Sequence, residues 1–361
     1  MTENMKTVCV GRYLVDVPVQ AEVTLSHERV AGFEIDTVEE DEATFRARVV
    51  AREAEIAKRG TSSDSSGGMV AARDLRIPDM IGRTMIYGRN RGYLMEGNQR
   101  IEDEFSSVEV HAHIAGLSFT LFAKYGDEAR AALAESLLTR LRVRGEDEIP
   151  SEQGFCIRRA LFAEPLPVRK AEHIAMHLGL PKHPDLAMAF ASMPGGGADT
   201  GLLARVSQTD AAASADERLR VTKLRWGKRS INGLEGEEAL ERMRELNFAT
   251  TYAFIWETKG IDGDATQPFL SLELEGGVSP RPGGKPVDTS LHEDAVLRLW
   301  ENISSSIRLR RPGPSPGKAS DGGPSGASVW QLMRHAGAPS VAKPALSTRH
   351  GVPVDEPPAL V

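Results

Sequence analysis

One order of sequence patterns occurs twice in this chain, and that constrains its fold more than any single motif. Val8-Cys9-Val10 opens the first half and Phe155-Cys156-Ile157 the second, each a short β-forming run. Near the close of each half, Asp127-Glu128-Ala129 lies over Glu293-Asp294-Ala295, and Leu141-Arg142-Val143-Arg144 over Ile307-Arg308-Leu309-Arg310, at a constant offset. Acid starts and basic ends suit any helix, so convergence alone gives part of this match. Element order agrees as well as composition, which points to duplication. At 361 residues the chain also has room for two cores, at roughly 150 residues per domain.

Thr7 to Val17 reads as a strand ending at Pro18, and alternation at Val23, Leu25, Phe33 and Ile35 predicts a hairpin. Glu39 to Lys58 changes period: Phe45, Val49 and Ile56 share a helical face, with acids at the start and Lys58, Arg59 and Gly60 at the end. Strand texture returns from Arg83 to Tyr125, and a second helix starts at Asp127. Gly145 to Gly154, with four acids and Pro150, reads as a linker. In the second half Ile174 to Phe190 forms a hairpin about Pro181 to Pro184, Gly201 to Leu219 is helical, and Glu293 to Ile307 is the closing helix. Glycines 227, 233 and 236 punctuate Leu224 to Glu241 as sharp strand turns. Glu237 to Leu246 is rich in helix formers, yet the repeat makes it a strand beside Thr250 to Trp256.

These patterns predict an α+β fold of two similar domains, residues 1–148 and 149–311, each an antiparallel sheet with helices packed on one face. A Pro, Gly, Ser and Ala-rich tail at 312–361 has the composition of a disordered segment. Few core contacts are expected across the linker, so cutting it should release two folded fragments.

Function classes are narrowed mainly by exclusion. A net charge of −7 argues against a nucleic-acid partner, and the apolar runs are too short to span a bilayer. No export signal is visible at the start. No nucleophile elbow, dinucleotide fingerprint or phosphate loop occurs, and no cofactor or metal is expected. His173 and His177 alternate with apolar neighbours, which places them about 13 Å apart on a strand, too far to share an ion. His111 and His113 share a strand face about 7 Å apart, with no third ligand, and read as solvated. Glu237 with Glu238, and Asp262 with Asp264, read as solvated charge. Cys9 and Cys156 fit either a disulfide in an oxidising compartment or two separate buried thiols. Two glycine-rich loops are the candidate partner contacts, one holding Gly195, Gly196, Gly197 and Asp199, the other Arg281.

Gly227-Lys228-Arg229-Ser230-Ile231-Asn232-Gly233-Leu234-Glu235-Gly236-Glu237-Glu238 resembles the carboxy-terminal domain of the type VI secretion immunity proteins that neutralise lipase effectors of the fourth group. Val8-Cys9-Val10-Gly11-Arg12-Tyr13-Leu14-Val15-Asp16-Val17-Pro18 resembles their amino-terminal domain. Phe155-Cys156, His183-Pro184-Asp185-Leu186, Phe254-Ile255-Trp256-Glu257 and Ser290-Leu291-His292-Glu293-Asp294-Ala295-Val296 extend the resemblance in the same order over Lys6 to Arg310. It implies a non-enzymatic inhibitor that binds a cognate lipase or phospholipase effector one-to-one, holds it between two domains like a claw and blocks substrate access. It also implies a periplasmic location. Relatives usually begin with an export signal or lipoprotein anchor; a start codon assigned too far downstream would account for Met1. The competing readings are an enzyme of unknown class with an interdomain cleft and a scaffold component of the envelope.

Overall fold

Alternating apolar and polar residues in both halves resolve, in a computed structural model, into one continuous sheet of twelve strands with two three-stranded sheets beside it. The structure describes residues 4–59, 67–97, 99–166, 172–195 and 200–311. The tail from residue 312 lies outside them. The first half contributes β1 (Met5–Val10), β2 (Tyr13–Pro18), β3 (Glu22–Val30), β4 (Phe33–Glu39), α1 (Glu42–Arg59), β5 (Met69–Asp74), β6 (Ile81–Glu96), β7 (Gln99–Ile114), β8 (Leu117–Gly126), α2 (Glu128–Leu138) and β9 (Leu141–Val143). The second contributes β10 (Gly154–Ile157), β11 (Ala160–Ala163), β12 (His173–Leu180), β13 (His183–Met193), α3 (Leu202–Ala212), α4 (Ala215–Arg220), β14 (Val221–Ile231), β15 (Leu234–Arg244), β16 (Thr250–Thr258), β17 (Phe269–Gly276), α5 (Glu293–Ser304) and β18 (Arg308–Leu309).

The large sheet runs β14-β15-β16-β17-β13-β12-β3-β4-β8-β7-β6-β5. Its two halves mirror each other about the antiparallel β3–β12 pair, where Met176 lies opposite Leu25 and His177 opposite Thr24. The small sheets are built by exchange. β18, the last strand of the second half, pairs with β2, and β9, the last strand of the first half, pairs with β11. The Arg310 N–H donates to the Arg12 carbonyl at 2.8 Å, and the Arg144 N–H to the Arg159 carbonyl at 2.9 Å. Both guanidiniums then turn inward onto carbonyls, Arg310 onto Pro150 and Gly154, Arg144 onto Ile157 and Glu148. Five donors in a planar fork let one side chain satisfy several buried carbonyls at once. Between the two opening hairpins Cys9 and Cys156 are disulfide-bonded, with Cα atoms 5.9 Å apart, and Gly11 and Cys156 exchange backbone hydrogen bonds.

Several sequence expectations are corrected here. Thr7 to Val17 is a hairpin, not one strand. It turns at Gly11, whose φ is +58° and whose missing Cβ would stand 2.9 Å from the Phe155 ring. The linker does not separate two cores: Tyr13, Val15, Phe155, Phe190, Phe254 and Trp300 belong to one buried cluster drawn from both halves. Helices also flank both faces of the sheet. Phe45, Val49 and Ile56 of α1 pack with Met85 and Tyr87, while Glu135 of α2 accepts a hydrogen bond from Thr84, whose side chain points the opposite way. Glu237 to Arg244, by contrast, is the strand that the repeat required: it lies within β15, between β14 and β16, where pairing on both sides overrides helix propensity.

Glu238, expected to be solvated, is 1% exposed. It is ion-paired with Arg225 and Arg229 and accepts from the Trp300 indole N–H at 2.7 Å. Glu238→Ala strips the buried Trp300 N–H of its acceptor and leaves Arg225 and Arg229 with Glu301 alone, so it should lower unfolding stability by about 2 kcal/mol, and by less for Glu238→Gln. Urea denaturation measures this, and a loss below about 1 kcal/mol would show that the cluster carries little. For the halves, nicking the native protein inside 145–154 should leave one particle on size exclusion, even after reduction, because strands are exchanged. Two separate folded fragments would contradict the shared core. Denaturation without reductant should expose no titratable thiol.

Candidate functional site

Strand register identifies a broad face that the helices leave open. The row Glu237–Glu257–Ser271–Ala191–Ala175–Ser26 crosses from β15 to β3, and Arg29–Glu34–Phe122–Glu109–Met85 continues from β3 to β6. At one end of this face sits α3: the Leu203 N–H donates to Glu237 at 2.9 Å and Arg205 pairs with Glu257 at 2.6 Å. At the other end sits α1, where Arg52 holds Glu109 and Arg83 holds Glu53. Between these helices β17, β13, β12, β3 and β4 present small or polar side chains, including Ala187, Ala189, His177, Thr24, Glu273, Glu275, Glu22 and Asp36. The opposite face of the same strands carries Leu272, Phe190, Met176 and Ile35 into the core. Alternation therefore creates the surface: large apolar residues point one way, and small residues with acids point the other. Five exposed carboxylates, Glu22, Glu34, Asp36, Glu273 and Glu275, face Arg29 as the exposed arginine of the strip, and Arg29 is paired with Glu34 at 2.7 Å.

The histidines are placed differently from expectation. His111 and His113 are buried beneath α1, not solvated. His111 contacts Glu109 through Nε2 and Thr120 through Nδ1, both at 3.1 Å, while His113 contacts Ser118 at 2.9 Å and stacks on Phe45. Burial alone would raise the Glu109 carboxyl, but hydrogen bonds from His111, Arg52 and Tyr87 outweigh it and hold Glu109 well below the usual carboxylate range. His177 lies on the open strip within 3.0 Å of Ser26, and His173 stacks on His27. Among the described residues no group of three His, Cys, Asp or Glu is arranged to hold a metal ion.

The two candidate contact loops do not converge. Gly195 follows the C-terminal end of β13 beside Asp262, whereas Arg281 lies in the connection that packs on Asp185, at the other end of the same strand. Arg281 is exposed, and its backbone closes a turn with Ser279 and Gly284. Gly196, Gly197 and Asp199 lie outside the described residues. Sequence reasoning missed the open strip itself; its signal was the run of alanines alternating with Leu186, Met188 and Phe190.

One buried group faces a cavity next to this strip. Glu28 accepts from the Arg158 N–H at 2.6 Å, and burial pushes its carboxyl up to about 7 despite that bond.

The described residues thus present an open acidic sheet face flanked by helices, with the polar clusters beneath those helices engaged in structural pairs. Residues 6–144 match the model of the Tle cognate immunity protein 4 N-terminal domain, and residues 148–312 that of the C-terminal domain. The chain belongs to the Tle cognate immunity protein 4 family: it is an immunity protein and not an enzyme. No curated protein matches it. Among solved structures it is similar to immunity protein TplEi of the T6SS from Pseudomonas aeruginosa. The apo form is 25% identical with a TM-score of 0.68, over 87% of this chain and 100% of that one. The form complexed with "L" peptide is 24% identical with a TM-score of 0.67, over 86% and 99%. A chain of the Tle4-Tli4 complex is 24% identical with a TM-score of 0.68, over 87% and 100%.

Glu28 gives a pH signature. Because its folded value lies above the ordinary 4.5, the fold binds its proton more tightly than the unfolded chain does. Its stabilising effect is therefore full below 4.5 and lost as pH rises to about 7. Glu28→Gln keeps the acceptor and removes the charge. The variant should gain on the wild type between pH 4.5 and 8, by about 3 kcal/mol at ~1.36 kcal/mol per unit. Paired urea titrations at pH 5 and pH 8 check it, and a pH-independent difference would refute the assignment.

Proposed function

We propose that this chain neutralises a type VI lipase effector by binding it one-to-one on the open sheet face, with α1 and α3 standing at either side. Membership of the immunity family carries the reading, and the relative solved as the Tle4-Tli4 complex supports a protein partner. Both halves contribute strands to the face, so a bound effector would be held by both, which is the physical content of a claw. Gly195 and Arg281, at opposite ends of β13, bracket the strip along its strand direction and are the loop contacts we assign to the effector. A periplasmic site of action is consistent with the Cys9–Cys156 bond, since disulfides persist in oxidising compartments. The mirrored strand order supports an origin by duplication, with the closing strands exchanged between the halves.

The acids of the strip make the binding rate sensitive to salt and to charge reversal. Glu273→Lys with Glu275→Lys, both exposed, should slow association with the cognate lipase about tenfold and weaken its salt dependence without changing thermal stability. Wild-type chain should abolish lipase activity at a molar ratio of one and show no lipase activity itself. Full inhibition by the charge-reversed variant at an unchanged rate would move the binding site off this face, and absence of inhibition by the wild type would reject the pairing.

A further inference from the structure

The ladder of the large sheet is nearly broken at one place. β3 and β4 are neighbours, but their pairing consists of Arg29 with Glu34 and Val30 with Phe33. Beyond these residues β3 is held by β12 and β4 by β8, each on its outer side. Leu25 to Glu28 and Ile35 to Thr37 thus line an opening of 270 Å³ together with Arg158. Leu25 and Arg158 also line an adjoining cavity of 530 Å³, which reaches Val23, Glu39 and Ile149. The corresponding hairpin of the other half, β12–β13, is closed, paired from Ile174–Ser192 to Leu180–His183.

A local difference accompanies the asymmetry. The β10–β11 turn presents Arg158 where the β1–β2 turn presents Gly11. The Arg158 N–H donates to Glu28, and its guanidinium donates to the Thr37 carbonyl at 2.8 Å. The Thr37 backbone therefore points into the opening and not toward β8, because the N–H and C=O of one residue in an antiparallel strand point the same way. Thr37 Oγ1 is buried there without a hydrogen-bond partner. Over Leu25 to Glu28 and Ile35 to Thr37 the facing edges have no ladder pairing with each other, and an added main chain pairs with edges of this kind.

We propose that the slot between β3 and β4 receives an extended segment of the effector, hydrogen-bonded through its main chain and carrying lysine or arginine side chains toward Glu22, Glu34 and Asp36. The carboxylates on the open rim favour a cationic segment over an acidic or purely apolar one. The proposal rests on the effector-binding reading above and adds where and in what conformation the partner engages.

Amide hydrogen exchange on the whole chain tests it, with and without the cognate lipase carrying an inactivated nucleophile. Amides in residues 22–28 and 35–39 should slow at least tenfold in the complex. Thr37→Pro, which removes the slot-facing N–H and spares the β8 ladder, should weaken binding at least tenfold at unchanged melting temperature. A complex in which both segments exchange as in the free protein would overturn the slot and leave effector binding standing. No complex at all would remove the effector reading and the slot with it. If the proline variant fails to fold, the exchange measurement on the wild-type pair decides.

Discussion

Antiparallel pairing of β3 with β12 is the joint on which this molecule depends. Neither half closes its own sheet at that edge, and an exposed edge of that length would present unpaired backbone to any other strand. Joining the two edges removes both liabilities and produces the twelve-stranded sheet. The other features that cross between the halves reinforce the same joint from one side. The exchanged strands β9 and β18, the inward-turned Arg144 and Arg310, and the Cys9–Cys156 bond are all associated with the small sheets.

That arrangement has a consequence for binding. Covering one face with two small sheets, α2 and α5 uses the large apolar side chains of nearly every strand. The other face then needs helices only near its two outer parts, where α1 and α3 sit over paired charges. Its middle remains accessible because small residues on β12 and β13 leave nothing large to bury. A broad, largely preformed surface suits a stoichiometric inhibitor, since a rigid scaffold loses little conformational entropy when its partner docks.

Charge is distributed in keeping with this division. Acids that touch the core, Glu109 and Glu238, are satisfied by arginines, a tyrosine, a histidine or an indole, and they fix the helices onto the sheet. Acids on the open strip include several that extend into solvent. Identical residue types thus end in structural pairs where a helix covers them, as Glu109 does beneath α1, or in solvent where none does, as Glu273 and Glu275 do.

The sequence by itself determined the α+β class, because alternation and helical periodicity are local properties. Family membership was legible too, in words such as Phe254-Ile255-Trp256-Glu257 whose order is preserved along the chain. Only tertiary structure decided that Val8 and Val15 belong to different strands, that Glu238, His111 and His113 are buried, and that the halves share one core. Those outcomes depend on partners far away in sequence: Phe155 against Gly11, Trp300 against Glu238, Phe45 against His113. Helix formers in β15 became a strand for the same reason, since a strand hydrogen-bonded on both sides gains more than local propensity loses. Which face stayed open was likewise beyond local reading, because period-two alternation gives two faces and cannot say which one the rest of the chain will cover.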